Sequence, residues 1–384
     1  MTDEFPPNPA LLPPGLRDLL PPEAETEASA VHAVMEAFAG HGYQRVKPPM
    51  LEFVDGSLSA STAAMSDQMF RLMDPDTRRM MSLCADITPQ VARIASTRLA
   101  HHPRPLRLSY AGQCVRVQAA GLDTDRQVAQ AGIELIGPDC AAADAEIVAV
   151  GVEALASLGL TRISIDLTMP TLVPSLLDER GLPPRDRALL ARALDRKDAA
   201  AVVEHGGVLA ATLTSLLLAA GPAARALAAL EAADLPPATR ALAARLAETV
   251  AAIQSAVPSL KLTVDPVEFR GLRYHTGVCM TVYAPGRHEE LGRGGRYLCG
   301  DQEPATGLTL YPDAVLRAAP PRNARPRAFL AHGENGAALR AQGFATVAAL
   351  GTIADPVAEA QRLGCTHILW QGQVRPVPVS GEAA

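Results

Sequence analysis

The sequence predicts an α+β fold: an antiparallel sheet flanked by helices, with a helical insertion and a short α/β C-terminal piece. Three observations carry this. Strand-like runs, Leu106 to Gln118 and Val128 to Ile136, are joined by polar, hairpin-length segments, which favours antiparallel pairing over a doubly wound sheet. Residues 172–258 turn Ala- and Leu-rich with Pro and Gly breaks, and read as inserted helices. After the linker Ala318-Ala319-Pro320-Pro321-Arg322-Asn323, short strands and helices alternate, which puts a boundary between residues 1–320 and 321–384.

Leu11 to Asp18 reads as an ordered loop, and a helix follows Pro21-Pro22. Val31, Val34, Met35 and Phe38 recur at helical spacing, and Gly40 and Gly42 supply the stop. Tyr43 to Val46 reads as a short strand. Gln68 to Met73 and Arg78 to Leu83 flank Asp74-Pro75-Asp76-Thr77 as a hairpin. Thr88-Pro89 opens a helix with Thr as N-cap and Pro at its first position. A helix from Ala143 to Leu158 and a strand from Arg162 to Leu167 precede the insertion. Strands resume at Lys261 and run to about Arg317. The tail reads as a strand Ala328 to Ala331, helices from Gly336 and Ala354, and a strand Thr366 to Trp370.

Composition narrows the function classes. With 384 residues there is room for two or three domains. A 48% hydrophobic, 20% charged chain is not disordered, and a net charge of −6 argues against a general nucleic-acid binder. The opening MTDEFPPNPA lacks the basic and apolar regions of a signal peptide. The apolar stretch from Val208 is interrupted by Gly221, Pro222 and Arg225, so no membrane span is expected. The six cysteines, at 84, 114, 140, 279, 299 and 365, form no C-x-x-C pair. Free thiols in a reducing cytoplasm fit that pattern, and neither cysteines nor histidines have metal-ligand spacing.

Three segments are dense in ligand-type groups. Phe269 to Gly277 sets two arginines, a tyrosine and a histidine around Gly271; it reads either as a site or as a bulged strand with solvent-facing charges. Glu290 to Tyr297 holds Gly294-Gly295, which would let the backbone approach a ligand or make a hairpin turn; on its own the turn is the better reading, and no nucleotide-loop pattern supports phosphate binding. In the strand from Val128, alternation places Gln130, Gly132 and Glu134 on one face. If that face is buried, these groups need partners, which a pocket for a small polar ligand would supply. An exposed sheet face is the other reading. Cys114 has no nearby His and reads as core.

Together these segments resemble the catalytic domain of class II histidyl-tRNA synthetases. The resemblance rests on Gly15-Leu16-Arg17-Asp18, Pro48-Pro49, Asp86-Ile87-Thr88, the stretch Arg116 to Glu134, Arg270-Gly271-Leu272-Arg273-Tyr274, and Gly294-Gly295-Arg296-Tyr297. It implies a six-stranded antiparallel sheet, self-association as a dimer, and a histidine site. By resemblance, Asp86, Thr88 and Gln130 meet the α-amino group, Glu134 reads the imidazole, Arg270 meets the carboxylate, and Arg116, Tyr274, His275 and Tyr297 complete the site. Asp86 stands in place of a Glu, His275 of a Tyr and Arg273 of an Asp.

The phosphate-handling half departs from the synthetases. Their Arg-x-Glu is here Arg116-Val117-Gln118, a loop arginine falls on Thr124, and the later arginine falls on Ala314. Removing one preorganised donor to a developing charge costs roughly 2.7–4 kcal/mol, so these losses predict no adenylation. A paralogous family shares this pattern: the regulatory subunits of ATP phosphoribosyltransferase, which Asp86 to Ile94 and Gln130 to Gly137 resemble closely. It implies a non-catalytic subunit without cofactor or metal. Its partner would be the short-form catalytic subunit, activated within a hetero-oligomer and subject to histidine feedback, with no tRNA partner. A divergent active synthetase and a free-standing histidine sensor are the alternatives. The tail, with six Arg, no Lys and four acidic residues, resembles a cut-down remnant where a synthetase keeps its anticodon-binding domain.

Overall fold

The computed structural model describes residues 11–54, 66–119, 125–268, 275–300, 302–321 and 325–378, and the chain forms two compact units, Met1–Pro320 and Pro321–Ala384. The first unit begins with α1 (Glu23–Gly40), β1 (Gln44–Arg45), β2 (Leu51–Phe53), β3 (Arg71–Met73), β4 (Met80–Leu83) and α2 (Thr88–Thr97). The strands β5 (Leu106–Val115) and β6 (Gln127–Ile136) follow, then α3 (Ala141–Ser157) and β7 (Ser164–Thr168). The insertion holds α4 (Leu172–Glu179), α5 (Pro184–Asp195), α6 (Ala199–His205), α7 (Ala210–Ala219), β8 (Gly221–Pro222), α8 (Ala223–Ala232) and α9 (Pro237–Ala256). The unit closes with β9 (Lys261–Asp265), β10 (His275–Tyr283), β11 (Glu290–Cys299), β12 (Glu303–Leu310) and α10 (Pro312–Ala318). The last element corrects the sequence reading, which carried strand to about Arg317; Pro312 breaks the ladder and opens a helix instead.

Six strands pair antiparallel without a break, in the order β5-β6-β12-β11-β10-β7. β1 joins β5 in parallel, and β9 joins β7 in parallel, carrying β8 beyond it. The antiparallel expectation therefore holds for the centre of the sheet but not for its two margins. A separate small sheet, β2-β4-β3, contains the expected hairpin.

Each face of the large sheet is buried differently. One face packs Ile133, Leu135, Leu308 and Leu310 against α1, α3 and the insertion helices in a single core. The stripe on α1 does what its spacing predicts: Val34, Met35 and Phe38 are buried. Burying such a side chain stabilises by roughly 1.5–3 kcal/mol. The other face packs Leu108, Tyr110 and Ile136 beneath Val91, Ala92 and Ala95 of α2. Within the insertion, Glu179 of α4 caps α9, accepting from Ala238 N at 3.1 Å and Thr239 N at 2.8 Å.

The second unit has β13 (Arg327–Leu330), α11 (Ala337–Ala341), β14 (Ala345–Ala348), α12 (Pro356–Arg362), β15 (His367–Trp370) and β16 (Gln373–Pro376), with sheet order β14-β13-β15-β16. Its strands β13, β14 and β15 run parallel around Phe329 and Ile368, and Asp355 caps α12. The sequence reading missed β14 and β16; both are short and neither shows a buried alternating face.

Candidate functional site

On the α2 face the sheet opens into a cavity, and register explains why. Leu108, Glu134, Gly307, Gly295 and Cys279 lie side by side across β5, β6, β12, β11 and β10. Two adjacent glycines in that row leave the sheet without side chains. A Cβ on Gly307 would lie 1.8 Å from Glu134 Oε2 and 2.7 Å from the Ile133 carbonyl, so only glycine fits there. The rows on either side, Tyr110-Gly132-Thr309-Arg293 and Ile136-Ala305-Tyr297-His275, form the walls. Gly294-Gly295 is thus mid-strand, not the hairpin turn expected from sequence.

The cavity encloses about 380 Å³, including its open mouth, and is lined by Asp86, Thr88, Arg116, Gln130, Glu134, His275 and Tyr297. Those are seven of the nine residues singled out from sequence; Arg270 and Tyr274 lie outside the described residues, as do Arg273 and Thr124. Arg293, Thr309 and Tyr311 also line it and were not anticipated.

Glu134 is the centre of the site. Its Oε1 accepts from Thr88 Oγ1 at 2.9 Å and Tyr110 OH at 3.1 Å, and its Oε2 from Tyr297 OH at 2.9 Å. Burial, which disfavours the charged carboxylate, outweighs these hydroxyls and pushes its pKa up to about 8. Thr88 corrects another expectation. It is not the N-cap of α2; Ile87 holds that position, and the Thr88 hydroxyl is given to the Glu134 cluster instead. Tyr110 and Tyr297 are held protonated, first by burial and then by Glu134 beside them.

Gln130, also buried, spends its carbonyl oxygen on Ile87 N at 3.0 Å and the Cys114 thiol at 3.2 Å. The amide N–H donors are what it can still offer a ligand. Cys114 is core, as its sequence context suggests, with its sulfur 3.6 Å from that of Cys84. His275 Nδ1 lies 2.9 Å from Cys279 Sγ. Burial and the Arg293 guanidinium lower its pKa to about 3, so the imidazole is neutral at pH 7. Arg116 donates from Nε to the Ala85 carbonyl at 3.2 Å. Carboxyl groups (Asp86, Glu134) and guanidinium groups (Arg116, Arg293) therefore share one small space.

Arg296 of the Gly294-Gly295-Arg296-Tyr297 segment points to the opposite face. It donates from Nε to Asp144 at 3.0 Å, from Nη1 to the Pro138 carbonyl at 3.1 Å and from Nη2 to the Cys140 carbonyl at 2.7 Å. It fastens β11 to the start of α3, and so holds Gly295 and Tyr297 in place.

A family model described as histidyl-tRNA synthetase matches residues 15–315. The chain is 54% identical to the ATP phosphoribosyltransferase regulatory subunit of Gluconobacter oxydans, over 97% of this chain and 98% of that one. It is 53% identical to the one of Paramagnetospirillum magneticum, over 94% and 96%. The chain belongs to the family of ATP phosphoribosyltransferase regulatory subunits. The fold of this family is shared with synthetases. A Bacillus halodurans structure described as an ATP phosphoribosyltransferase regulatory subunit/histidyl-tRNA synthetase superposes with a TM-score of 0.79 at 24% identity, covering 93% of this chain and 97% of that one. Histidyl-tRNA synthetase from Nostoc superposes with a TM-score of 0.75 at 14% identity, covering 93% and 90%. Among the described residues no helix is long and apolar enough to cross a membrane.

Proposed function

We propose that this chain is the non-catalytic subunit that binds and activates a short-form ATP phosphoribosyltransferase catalytic subunit, takes part in its inhibition by histidine, and neither forms histidyl-adenylate nor charges tRNA. The observation that carries this is the near-full-length identity to regulatory subunits. The site supports it. The carboxyl and guanidinium groups around the glycine floor suit a small zwitterion, with acceptors for ammonium and imidazole N–H and a fork for a carboxylate. On the phosphate side, Gln118 is exposed and Ala314, in the first turn of α10, is buried and carries no charge. The working assembly is a cytoplasmic hetero-oligomer built on dimers of this chain.

Two assays test the reading. Titrating the full chain into a short-form catalytic subunit should raise the rate of phosphoribosyl transfer to a plateau; no complex and no rate change would instead favour a free-standing histidine sensor. The pure chain should give no histidine-dependent ATP–pyrophosphate exchange, and an exchange signal would establish a divergent synthetase.

A further inference from the structure

We propose that Arg293 reads the anionic end of the cavity's ligand, binding the carboxylate of an amino acid whose side chain reaches toward Glu134. This rests on the reading that the cavity holds histidine, and it adds a residue that the sequence resemblance does not include.

Three observations support it. First, register puts Arg293 on the cavity face. It pairs with Thr309 of β12, one row from the Gly307–Gly295 hollow, while Glu134 borders that hollow from the other side. Arg293 and Glu134 therefore stand diagonally across an empty floor. Second, the guanidinium is anchored but incompletely satisfied. It donates from Nη2 to Glu290 at 2.5 Å, while its buried Nε has no hydrogen-bond partner among the described residues. A buried donor left unpaired is destabilising, and a ligand oxygen placed there would remove that cost. Third, two of its cavity-lining neighbours, His275 and Tyr311, carry no charge that would occupy it. His275 is neutral and Tyr311 keeps its proton, in both cases mainly through burial. The side chain is 36% exposed, so a ligand entering from solvent can reach it.

The test compares ligands with and without the carboxylate. L-Histidine and histamine, which lacks that group, are titrated calorimetrically into the full chain, alone and in complex with the catalytic subunit. Wild-type chain should bind histidine more tightly than histamine. Arg293→Gln should weaken histidine by roughly tenfold or more, the loss of one charge-assisted contact, and leave histamine within about twofold. Arg293→Lys should recover part of the loss. An equal loss for both ligands would show a merely structural role and overturn the proposal. So would an unchanged histidine affinity. Glu134→Gln separates the two levels: if it weakens histidine while Arg293→Gln does not, the cavity reading stands and the arginine assignment falls. If neither variant alters histidine binding, or no histidine binds, both fall.

Discussion

Arg293 and Arg296 stand three residues apart on β11 and face opposite sides of one sheet. Arg296 is 7% exposed, pairs with Asp144 and donates to two backbone carbonyls. Among the described residues, Arg293, 36% exposed, has one ion pair at its rim and a buried Nε without a partner. The same residue type thus does two jobs. On the back face, a saturated arginine locks a strand to a helix. On the front face, polar groups surround a glycine floor with bonding capacity left over. A segment rich in glycine and arginine is informative about ligand binding only after its faces have been separated.

The largest effect should come from the front face. Glu134 holds its proton to about pH 8 in the folded chain, against an ordinary value of 4.5. The folded state therefore binds more protons than the unfolded one between those values. Its contribution to stability is complete below about pH 4.5 and is lost as pH rises through 8. At about 1.4 kcal/mol per pKa unit, that loss is on the order of 5 kcal/mol. Glu134→Gln should flatten it, as read from denaturant midpoints at pH 5 and 8.5; an unchanged slope would place the proton elsewhere. Next comes the back face. Asp144→Ala leaves Arg296 buried beside its weaker partner Asp139 and should destabilise by about 3 kcal/mol in chemical denaturation. A cost below about 1 kcal/mol would mean that the two faces do not differ as described. Gly307→Ala forces the Glu134 carboxylate and the neighbouring strand apart. It should cost about 1–3 kcal/mol and abolish histidine binding. Smallest is Arg293→Ala, which should shift stability by about 0.5 kcal/mol or less, since its ion pair with Glu290 is partly solvent-exposed. A large loss there would make Arg293 a second Arg296.

Much of this was legible in the sequence because the signals were local. Alternation placed Gln130, Gly132 and Glu134 on one face, and helical spacing picked out the buried side of α1. Other features depend on neighbours far along the chain. Gly294-Gly295 looks like a turn until β12 supplies the Gly307 carbonyl, which would meet a Cβ on Gly294 at 2.1 Å. Thr88 reads as a cap until Tyr110 and Glu134 compete for its hydroxyl at 3.0 and 2.9 Å. Arg293, Thr309 and Tyr311 join the site only through cross-strand register, which no single segment encodes. The parallel pairings of β1 and β9 are of the same kind, being set by what lies beside them.

The most direct test is histidine inhibition of the assembled transferase, comparing wild-type chain with Glu134→Ala. If the cavity is the regulatory site, the variant should need at least about tenfold more histidine for half-inhibition, with activation of the catalytic subunit retained. An unchanged half-inhibition would contradict the account and move the histidine site out of this cavity.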